Sequence, residues 1–240
     1  MQQPEPITAQ WLGRIGYREA WQLQKALVEQ RVTGEIGDRL LLLEHDPVLT
    51  LGRQAEDGHV LASPRELIRR GIEVIRVERG GEVTYHGPGQ LVGYPILRLG
   101  DRGLLVRPLV AALEAAMIET CAAFGVHAER RDGHPGCWVD ASSEAPRKIG
   151  ALGIRVERGV SYHGIALNVD PDLADFELIN ACGMPGVVST SIAREAGRAT
   201  ESPSTAAVER AAQVFAPAFA ARIGARLSGF GAAAARSGAR

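Results

Sequence analysis

Apolar residues recur at helical spacing in several stretches of the chain, and these stretches predict helices. The pattern indicates an amphipathic helix over Gly16–Gln30, a longer one over Leu105–Ala123, and a single helical turn over Asp175–Ile179. An alanine-rich helix is predicted over Thr205–Arg226. We expect Pro217 to interrupt it, because proline lacks the backbone N–H and its ring clashes with the preceding turn.

Short apolar runs bounded by turn residues predict strands between the helices. The predicted strands are Arg39–Leu43, Gly71–Val77, Leu91–Leu97, Cys137–Asp140, Lys148–Val156 and Ser161–Val169. His45-Asp46-Pro47 ends the first strand, since proline cannot donate to a ladder, and Glu157-Arg158-Gly159 forms a turn between the last two. Strands and helices do not alternate regularly, so we expect an α+β fold, with mixed sheets flanked by helices.

The chain length of 240 residues suits one folded domain, which we place at residues 1–227. Ser228–Arg240 consists of Ala, Gly, Ser and Arg with one Phe and no acidic residue, and we expect this tail to be disordered. Met1–Gln10 lacks the apolar core of a signal peptide. The uncharged stretch Ala211–Ala221 is too short to span a bilayer. We therefore expect no contact with membranes.

Charge and cysteine usage narrow the class of protein further. The net charge is -1 and no extended basic stretch is present, which argues against nucleic acid as a partner. The three cysteines, Cys121, Cys137 and Cys182, have no CxxC spacing, so neither a disulfide framework nor a metal site is expected. A reduced, cytoplasmic protein fits this pattern.

Lysine is rare in this chain. Only Lys25 and Lys148 are lysines among the 27 basic residues, and the others are arginines. An arginine stays charged, whereas a lysine can exchange its proton when its surroundings change. A lysine against this background indicates a site that needs an amine.

The segment Arg79–Gly93 has five glycines among its fifteen residues. Glycine lets a backbone approach a ligand closely, and exposed N–H groups hold an anion or a carbonyl oxygen. In such a site Arg79 would anchor a carboxylate or phosphate, and His86 would donate a hydrogen bond or move a proton. The alternative is a glycine-rich turn between two strands. The segment matches neither the phosphate-loop pattern nor GxGxxG, so it indicates a binding site of unspecified kind.

Two further segments carry candidate chemistry. Lys148 begins a predicted strand among apolar residues and glycines, although a surface lysine at a strand edge would look the same. Cys182 lies in Asn180–Gly186, where small neighbours would leave its sulfur accessible, although a lone cysteine is more often a small buried hydrophobe. We interpret Cys121 and Cys137 in that second, structural way.

Small residues also occur on the predicted strand Ser161–Val169. Gly164 and Ala166 would make room for a ligand chain, or would pack against a helix. His163 is interpreted as a structural histidine rather than a catalytic one.

Together these segments resemble the lipoyl(octanoyl) transferases, the octanoyl-acyl-carrier-protein:protein transferases of lipoate biosynthesis. The matching text is RGGEVTYHGPGQLVGYPI, then RKIGALGIRVERGVSYHGIALNV, then FELINACGMPGVVSTSI. The resemblance covers about residues 39 to 195, in the family's order. It implies the fold of biotin and lipoate protein ligases, an α+β catalytic domain.

The resemblance also implies roles for particular residues. Cys182 matches the cysteine that carries the acyl thioester, and Lys148 matches the lysine that tunes it. The positions that match the family's substrate-binding segments are Arg79, Gly80, Gly81, Glu82, Val83, Thr84, Tyr85, His86, Ala151, Leu152, Gly153, Gly164, Ile165 and Ala166.

The implied partners are octanoyl-acyl carrier protein, the lipoyl domains of 2-oxoacid dehydrogenase complexes and the glycine cleavage H protein. No cofactor, ATP or metal is expected, and the protein is expected to be a monomer. Three alternatives stay open: an ATP-dependent ligase on the same fold, a cysteine hydrolase that uses Cys182 with His86 or His163, and a non-catalytic module that binds acyl carrier protein.

Overall fold

The computed structural model describes residues 6–180, 186–198 and 203–232. Its strands are β1 Pro6–Ile15, β2 Arg39–His45, β3 Val48–Leu51, β4 Glu73–Arg76, β5 Val83–His86, β6 Gln90–Ile96, β7 Cys137–Val139, β8 Arg147–Glu157, β9 Val160–Asn168, β10 Val188–Ser189 and β11 Arg226–Ala232. Its α-helices are α1 Tyr17–Thr33, α2 Pro64–Arg70, α3 Val106–Ala123, α4 Ile192–Glu195 and α5 Thr205–Arg222. Short 3₁₀ helices cover Asp57–His59, Leu99–Arg102 and Leu173–Leu178.

The strands form two sheets. The larger has eight strands in the order β10-β8-β9-β6-β2-β1-β11, with β7 also paired to β8, and the smaller has the order β4-β3-β5. Both sheets are mixed. In the large sheet β1 is parallel to β2 and β11, and β8 is parallel to β10, whereas the pairs β2–β6, β6–β9 and β8–β9 are antiparallel. In the small sheet β3 is parallel to β4 and antiparallel to β5. With helices packed on the large sheet, the predicted α+β class is confirmed.

The apolar run in β2 shows how the large sheet is covered on both faces. Leu40 and Leu42 lie in the core that contains α3 and α5, whereas Leu41 and Leu43 lie in the core beside α1. Successive side chains on a strand point to opposite faces, so four consecutive leucines require a sheet that is buried on both sides. The prediction of a buried strand here is confirmed.

The C-terminal part of the chain differs from the prediction in two ways. Pro217 lies inside α5 without interrupting it, and the neighbouring residues Phe215 and Phe219 are fully buried. Tertiary packing therefore outweighs the hydrogen bond that proline cannot make. The helix ends at Arg222 rather than Arg226.

The expected disorder from Ser228 onward is wrong for residues 228–232, which belong to strand β11. This strand pairs in parallel with β1, which the sequence pattern did not reveal. The edge of β1 supplies backbone hydrogen-bonding partners, and Leu227 and Phe230 of β11 pack against the main core. The last eight positions, 233–240, lie outside the described residues.

Among the helices of the described ranges, none has the length and apolar character needed to cross a membrane.

Candidate functional site

A cavity of about 490 Å³ lies between the large and the small sheet. Strands β8 and β9 of the large sheet, strand β5 of the small sheet and the loop before β5 form most of its wall. The volume is in the ordinary range for sites that bind small molecules or acyl chains. The cavity is the natural place to look for the predicted binding residues.

The cavity brings together Lys148 and nearly all residues of the predicted substrate-binding segments. Those that line it are Arg79, Gly80, Gly81, Glu82, Val83, Thr84, His86, Ala151, Leu152, Gly153, Gly164, Ile165 and Ala166. Lining residues that the sequence analysis did not identify include Tyr17, Gln54, Tyr94, His134 and Pro135.

Tyr85 is the predicted substrate-binding residue that does not line the cavity. Its ring packs against Phe176 with the ring centroids 5.3 Å apart, inside a separate hydrophobic cluster. Residues alternate in direction along β5, so Thr84 and His86 line the cavity while Tyr85 is turned away from it. Tyr85 therefore does not contact the cavity, unlike the other residues of the predicted substrate-binding segments.

Glycines let the loop before β5 close one part of the cavity. The Gly80 N–H donates to the Ile154 carbonyl at 3.1 Å, and a Cβ placed on Gly153 would lie 2.7 Å from the Gly80 carbonyl oxygen. This loop can therefore dock on β8 only because Gly153 has no side chain. The segment Arg79–Gly93 lines the cavity, contains strand β5 and has a glycine-rich turn at residues 87–89; its role in binding stays a prediction.

Gly164 lies beside the cavity and packs against a strand, not against the helix that was the alternative. It lines the cavity together with Ala166. It also has φ +151°, and a Cβ there would lie 1.9 Å from the carbonyl oxygen of Gly93 on the adjacent strand β6. The position therefore requires glycine for backbone packing, and the cavity gains space from the same fact.

The Arg79 side chain stabilises the loop on which it lies through hydrogen bonds. Its guanidinium donates to the Thr50 carbonyl at 2.6 Å, to the Thr50 hydroxyl at 2.8 Å and to the Gly80 carbonyl at 3.0 Å. The expectation was an anchor for a carboxylate or phosphate. These contacts hold the loop against strand β3, which shapes the cavity wall, and the anchoring role stays a prediction.

Five buried rings pack together at the site: Tyr17, His45, His86, Tyr94 and His163. All of them except His45 line the cavity. Consecutive ring centroids lie 4.9 to 6.1 Å apart, from Tyr17 through His45 and Tyr94 to His163. Burial lowers the pKa of His45 to about 4 and that of His163 to about 3, and it holds the pKa of His86 well below its usual value. All three imidazoles are therefore neutral at physiological pH.

Hydrogen bonds fix the tautomer of His86. The side-chain amide of Gln90 donates to the Tyr85 carbonyl and to the Asn168 side-chain oxygen, so its own oxygen faces His86. His86 Nδ1 therefore donates to Gln90 Oε1 at 2.8 Å, and Nε2 is the acceptor nitrogen, 3.4 Å from Thr50 Oγ1.

His163 has a different environment, since within the described part of the chain neither of its ring nitrogens has a hydrogen-bonding partner. Its backbone has φ +58°, and its ring stacks on Tyr162. This packing favours the structural interpretation of His163.

The buried imidazoles predict that the protein loses stability in mild acid. The folded-state pKa values of His45 and His163 lie below the value of about 6.5 for an unfolded chain. As the pH falls below that value, the unfolded state binds protons that the folded state does not bind. Each histidine is expected to cost about 2 kcal/mol of unfolding free energy between pH 6.5 and pH 5.

Denaturant titrations at pH 7 and pH 5 measure this loss. His163→Asn is the matched control, because asparagine tolerates a positive φ and does not titrate. This variant should take up about one proton fewer on unfolding near pH 5 to 6, so its unfolding free energy should depend less on pH. Equal unfolding free energies at both pH values would contradict the neutral, buried state of these histidines.

Lys148 lies inside the large sheet rather than at its edge. On strand β8 it is paired with Trp138 of β7 and with Ser189 of β10. The residue is only 7% exposed, so the alternative of a surface lysine is wrong. Its ammonium donates to the Pro135 carbonyl at 3.2 Å and lies 4.9 Å from the centre of the Trp138 ring.

Cys182 lies outside the described residues, as do its neighbours at positions 181 and 183–185. The chain before it is held where the Asn180 N–H donates to the His59 carbonyl at 2.8 Å. After it, β10 pairs with the start of β8, and the Thr190 N–H donates to the Lys148 carbonyl at 3.0 Å. The described residues that follow this segment therefore lie beside the start of β8, the strand that carries Lys148.

Comparisons with known proteins agree with the fold. A family model described as the lipoyl protein ligase A/B catalytic domain matches residues 16–220. An octanoyltransferase of Chloroflexus aggregans is 48% identical over 194 residues, which covers 80% of this chain and 86% of that protein. An octanoyltransferase of Acidobacterium capsulatum is 52% identical over 192 residues, with 77% and 78% covered.

A solved structure shows the same fold at low sequence identity. The structure of a bi-partite lipoate protein ligase from Thermoplasma acidophilum has a TM-score of 0.64 at 12% identity, and the match covers 98% of this chain and 89% of that one. At this identity the likeness concerns the fold alone. The lipoate-ligase-like fold implied by the sequence motifs is confirmed.

Proposed function

The chain belongs to the lipoyl protein ligase A/B catalytic domain family, it is an acyltransferase of protein lipoylation, and we propose that it carries the octanoyl group on Cys182. The donor is octanoyl-acyl carrier protein. The acceptors are the target lysines of lipoyl domains in 2-oxoacid dehydrogenase complexes and of the glycine cleavage H protein. The observation that carries the proposal is the buried Lys148, which lines the cavity formed by the substrate-binding segments.

The first half-reaction needs a thiolate at Cys182. A free cysteine has a pKa of about 8.5, so only a few per cent is thiolate at neutral pH. Proton transfer from the thiol to Lys148 gives a thiolate beside an ammonium, and a pKa drop of about two units, roughly 2.7 kcal/mol, makes the thiolate dominant. The thiolate then attacks the carrier thioester. The carrier sulfur leaves and takes the proton from the Lys148 ammonium.

The second half-reaction uses the amine that the first one leaves behind. Lys148 is now neutral and accepts a proton from the ammonium of the incoming acceptor lysine. That lysine, with a pKa of about 10.4, is otherwise almost wholly protonated. Its amine attacks the acyl-Cys182 carbonyl, the amide forms, and Cys182 leaves as the thiolate. One further proton passes to solvent, so one lysine serves both half-reactions.

The acyl chain occupies the cavity beside β8 and β9. The cavity-lining positions on these strands are small or apolar: Ala151, Leu152, Gly153, Gly164, Ile165 and Ala166. Such a surface favours a hydrocarbon chain over a charged ligand. A free thiol on the nucleophile also fits a reducing compartment, and we place the protein in the cytoplasm as a monomer.

The closest rival reaction is ATP-dependent ligation of a free acid, and nucleotide dependence separates the two. With octanoyl carrier protein and a lipoyl domain, we expect octanoylated domain to form at the same rate with or without ATP and Mg²⁺. Mass spectrometry of the lipoyl domain measures the product.

The control replaces the carrier thioester with free octanoate, which should give no product even with ATP. Product that forms from octanoate only when ATP is present would identify a ligase and contradict the transferase.

A further inference from the structure

The Lys148 ammonium contacts Pro135, in the segment before β7, and Trp138 of β7. The Pro135 carbonyl accepts a hydrogen bond from Nζ, and the face of the Trp138 ring lies on the same ammonium. A carbonyl dipole and an aromatic face both attract a cation. The Trp138 ring is held in turn, because its indole N–H donates to the His134 carbonyl at 2.9 Å. These contacts hold the amine beside Pro135 and Trp138.

Gly136 allows this segment to approach the lysine so closely. Its φ is +136°, and a Cβ there would lie 2.6 Å from the Gly150 carbonyl oxygen and 3.0 Å from Lys148 Cε. Any side chain at this position would push the segment away from the lysine. The position of the Pro135 carbonyl therefore depends on the backbone at Gly136.

A buried carboxylate fixes that backbone. Glu114 is 8% exposed and lies on α3 among apolar residues of the main core. Its Oε1 accepts the Gly136 N–H at 2.9 Å, and its Oε2 accepts a hydrogen bond from Arg130 Nε at 3.0 Å. Burial of a carboxylate is costly unless its oxygens are hydrogen-bonded, and here one oxygen holds the residue that adjoins Lys148.

We propose that Glu114 is a positioning residue for Lys148: through the Gly136 N–H it holds the Pro135 carbonyl where it directs the amine toward the reacting thioester. The inference rests on the proposed role of Lys148 in both half-reactions. Glu114 does not touch the lysine or the substrate. Its effect is transmitted by the backbone from Gly136 to Pro135.

Two substitutions at Glu114 distinguish the effect of its hydrogen-bond acceptor from the effect of its charge. Glu114→Gln keeps an oxygen for the Gly136 N–H, whereas Glu114→Leu fills a similar volume on the apolar face of α3 and removes the acceptor. Arg130→Ala is the matched control, since it removes the other partner of Glu114 and leaves Gly136 untouched. The three variants are compared in single-turnover transfer from the acyl-enzyme to a lipoyl domain.

We expect Glu114→Leu to slow this transfer by about 100-fold, because a displacement near 1 Å of a catalytic group costs that much. The KM of Glu114→Leu for octanoyl carrier protein should stay unchanged. The pH at which its rate of transfer to the lipoyl domain is half-maximal should shift. Glu114→Gln and Arg130→Ala should stay within about threefold of the wild type with an unshifted pH profile. Gly136→Ala, with Glu114 intact, should reproduce the loss, and it is the test if Glu114→Leu fails to fold.

Two results would overturn the inference. One is a folded Glu114→Leu variant, or a folded Gly136→Ala variant, that transfers at the wild-type rate with an unshifted pH profile. The other is an equal loss in Glu114→Gln and Glu114→Leu. Lys148→Met distinguishes this failure from a failure of the proposed function: if it too is fully active, the role of Lys148 is wrong, and if it is inactive, only the positioning role of Glu114 is wrong.

Discussion

Replacement of Cys182 by alanine is expected to reduce octanoyl transfer from carrier protein to lipoyl domain by a factor on the order of 10⁴ or more. Loss of a nucleophile removes the covalent route entirely, and only binding and orientation remain. Gel or mass detection of the octanoylated lipoyl domain measures the rate. The folded state should survive, as judged by circular dichroism and an unchanged thermal midpoint.

Cys121→Ala provides the matched control for this variant. Cys121 and Cys137 are both fully buried in the main core, away from the cavity wall. The neighbouring Cys121 and burial raise the pKa of the Cys137 thiol far above its usual value, which makes it a poor nucleophile. Transfer should be retained in Cys121→Ala. A Cys182→Ala variant that transfers at more than a few per cent of the wild-type rate would contradict the role of Cys182.

Lys148→Arg is expected to separate the two half-reactions. A guanidinium keeps the positive charge that stabilises the Cys182 thiolate, but it does not release its proton. Formation of the acyl-enzyme should therefore slow by about tenfold and remain detectable. Transfer to the acceptor lysine should fall by roughly 10²- to 10⁴-fold, the usual contribution of a general base.

Lys148→Met is the comparison that interprets the arginine variant. It keeps a similar length without charge or base, so both half-reactions should be lost. Rapid-quench mass spectrometry follows the acyl-enzyme and the octanoylated domain in the same experiment. Equal losses in both half-reactions for Lys148→Arg would show that Lys148 does not act as the base in the second one.

The spacing of apolar residues predicted most of the fold, because it indicates directly which positions are buried. The run of leucines in β2 indicated a strand covered on both faces, and the sheet places alternate leucines in two different cores. Strands β1, β3, β5, β10 and β11 were not predicted. The pairing of β1 with β11 joins opposite ends of the chain, and β11 has only two large apolar residues, Leu227 and Phe230.

The candidate site was predictable where glycine was required. Gly80, Gly153 and Gly164 lie where a side chain would block the approach of another backbone, so a glycine-rich sequence and a cavity have the same cause. The direction in which an individual side chain points was harder to predict from the sequence. Tyr85 lies in a binding segment but is turned into another cluster by the alternation of β5.

The surroundings of Lys148 could not be predicted from the sequence around it. Pro135 and Trp138 contact the lysine from other parts of the chain, and Glu114 of α3 accepts the N–H of Gly136 beside them. Only the folded structure brings these residues together. One signal was present in the sequence. Glu114 interrupts the apolar stretch of α3 at a position that becomes buried. A charged side chain on a buried helix face indicates hydrogen-bonding partners, and the structure shows them to be the Gly136 N–H and Arg130.

The central claim is that Cys182 carries the acyl group, and the intact mass of the protein tests it most directly. The protein is incubated with octanoyl carrier protein in the absence of a lipoyl domain, and its mass is measured before and after. We predict that the wild type gains the mass of one octanoyl group, that Cys182→Ala gains none, and that addition of a lipoyl domain removes the adduct. A wild-type protein that gains no mass, or an adduct that persists in Cys182→Ala, would contradict the proposal.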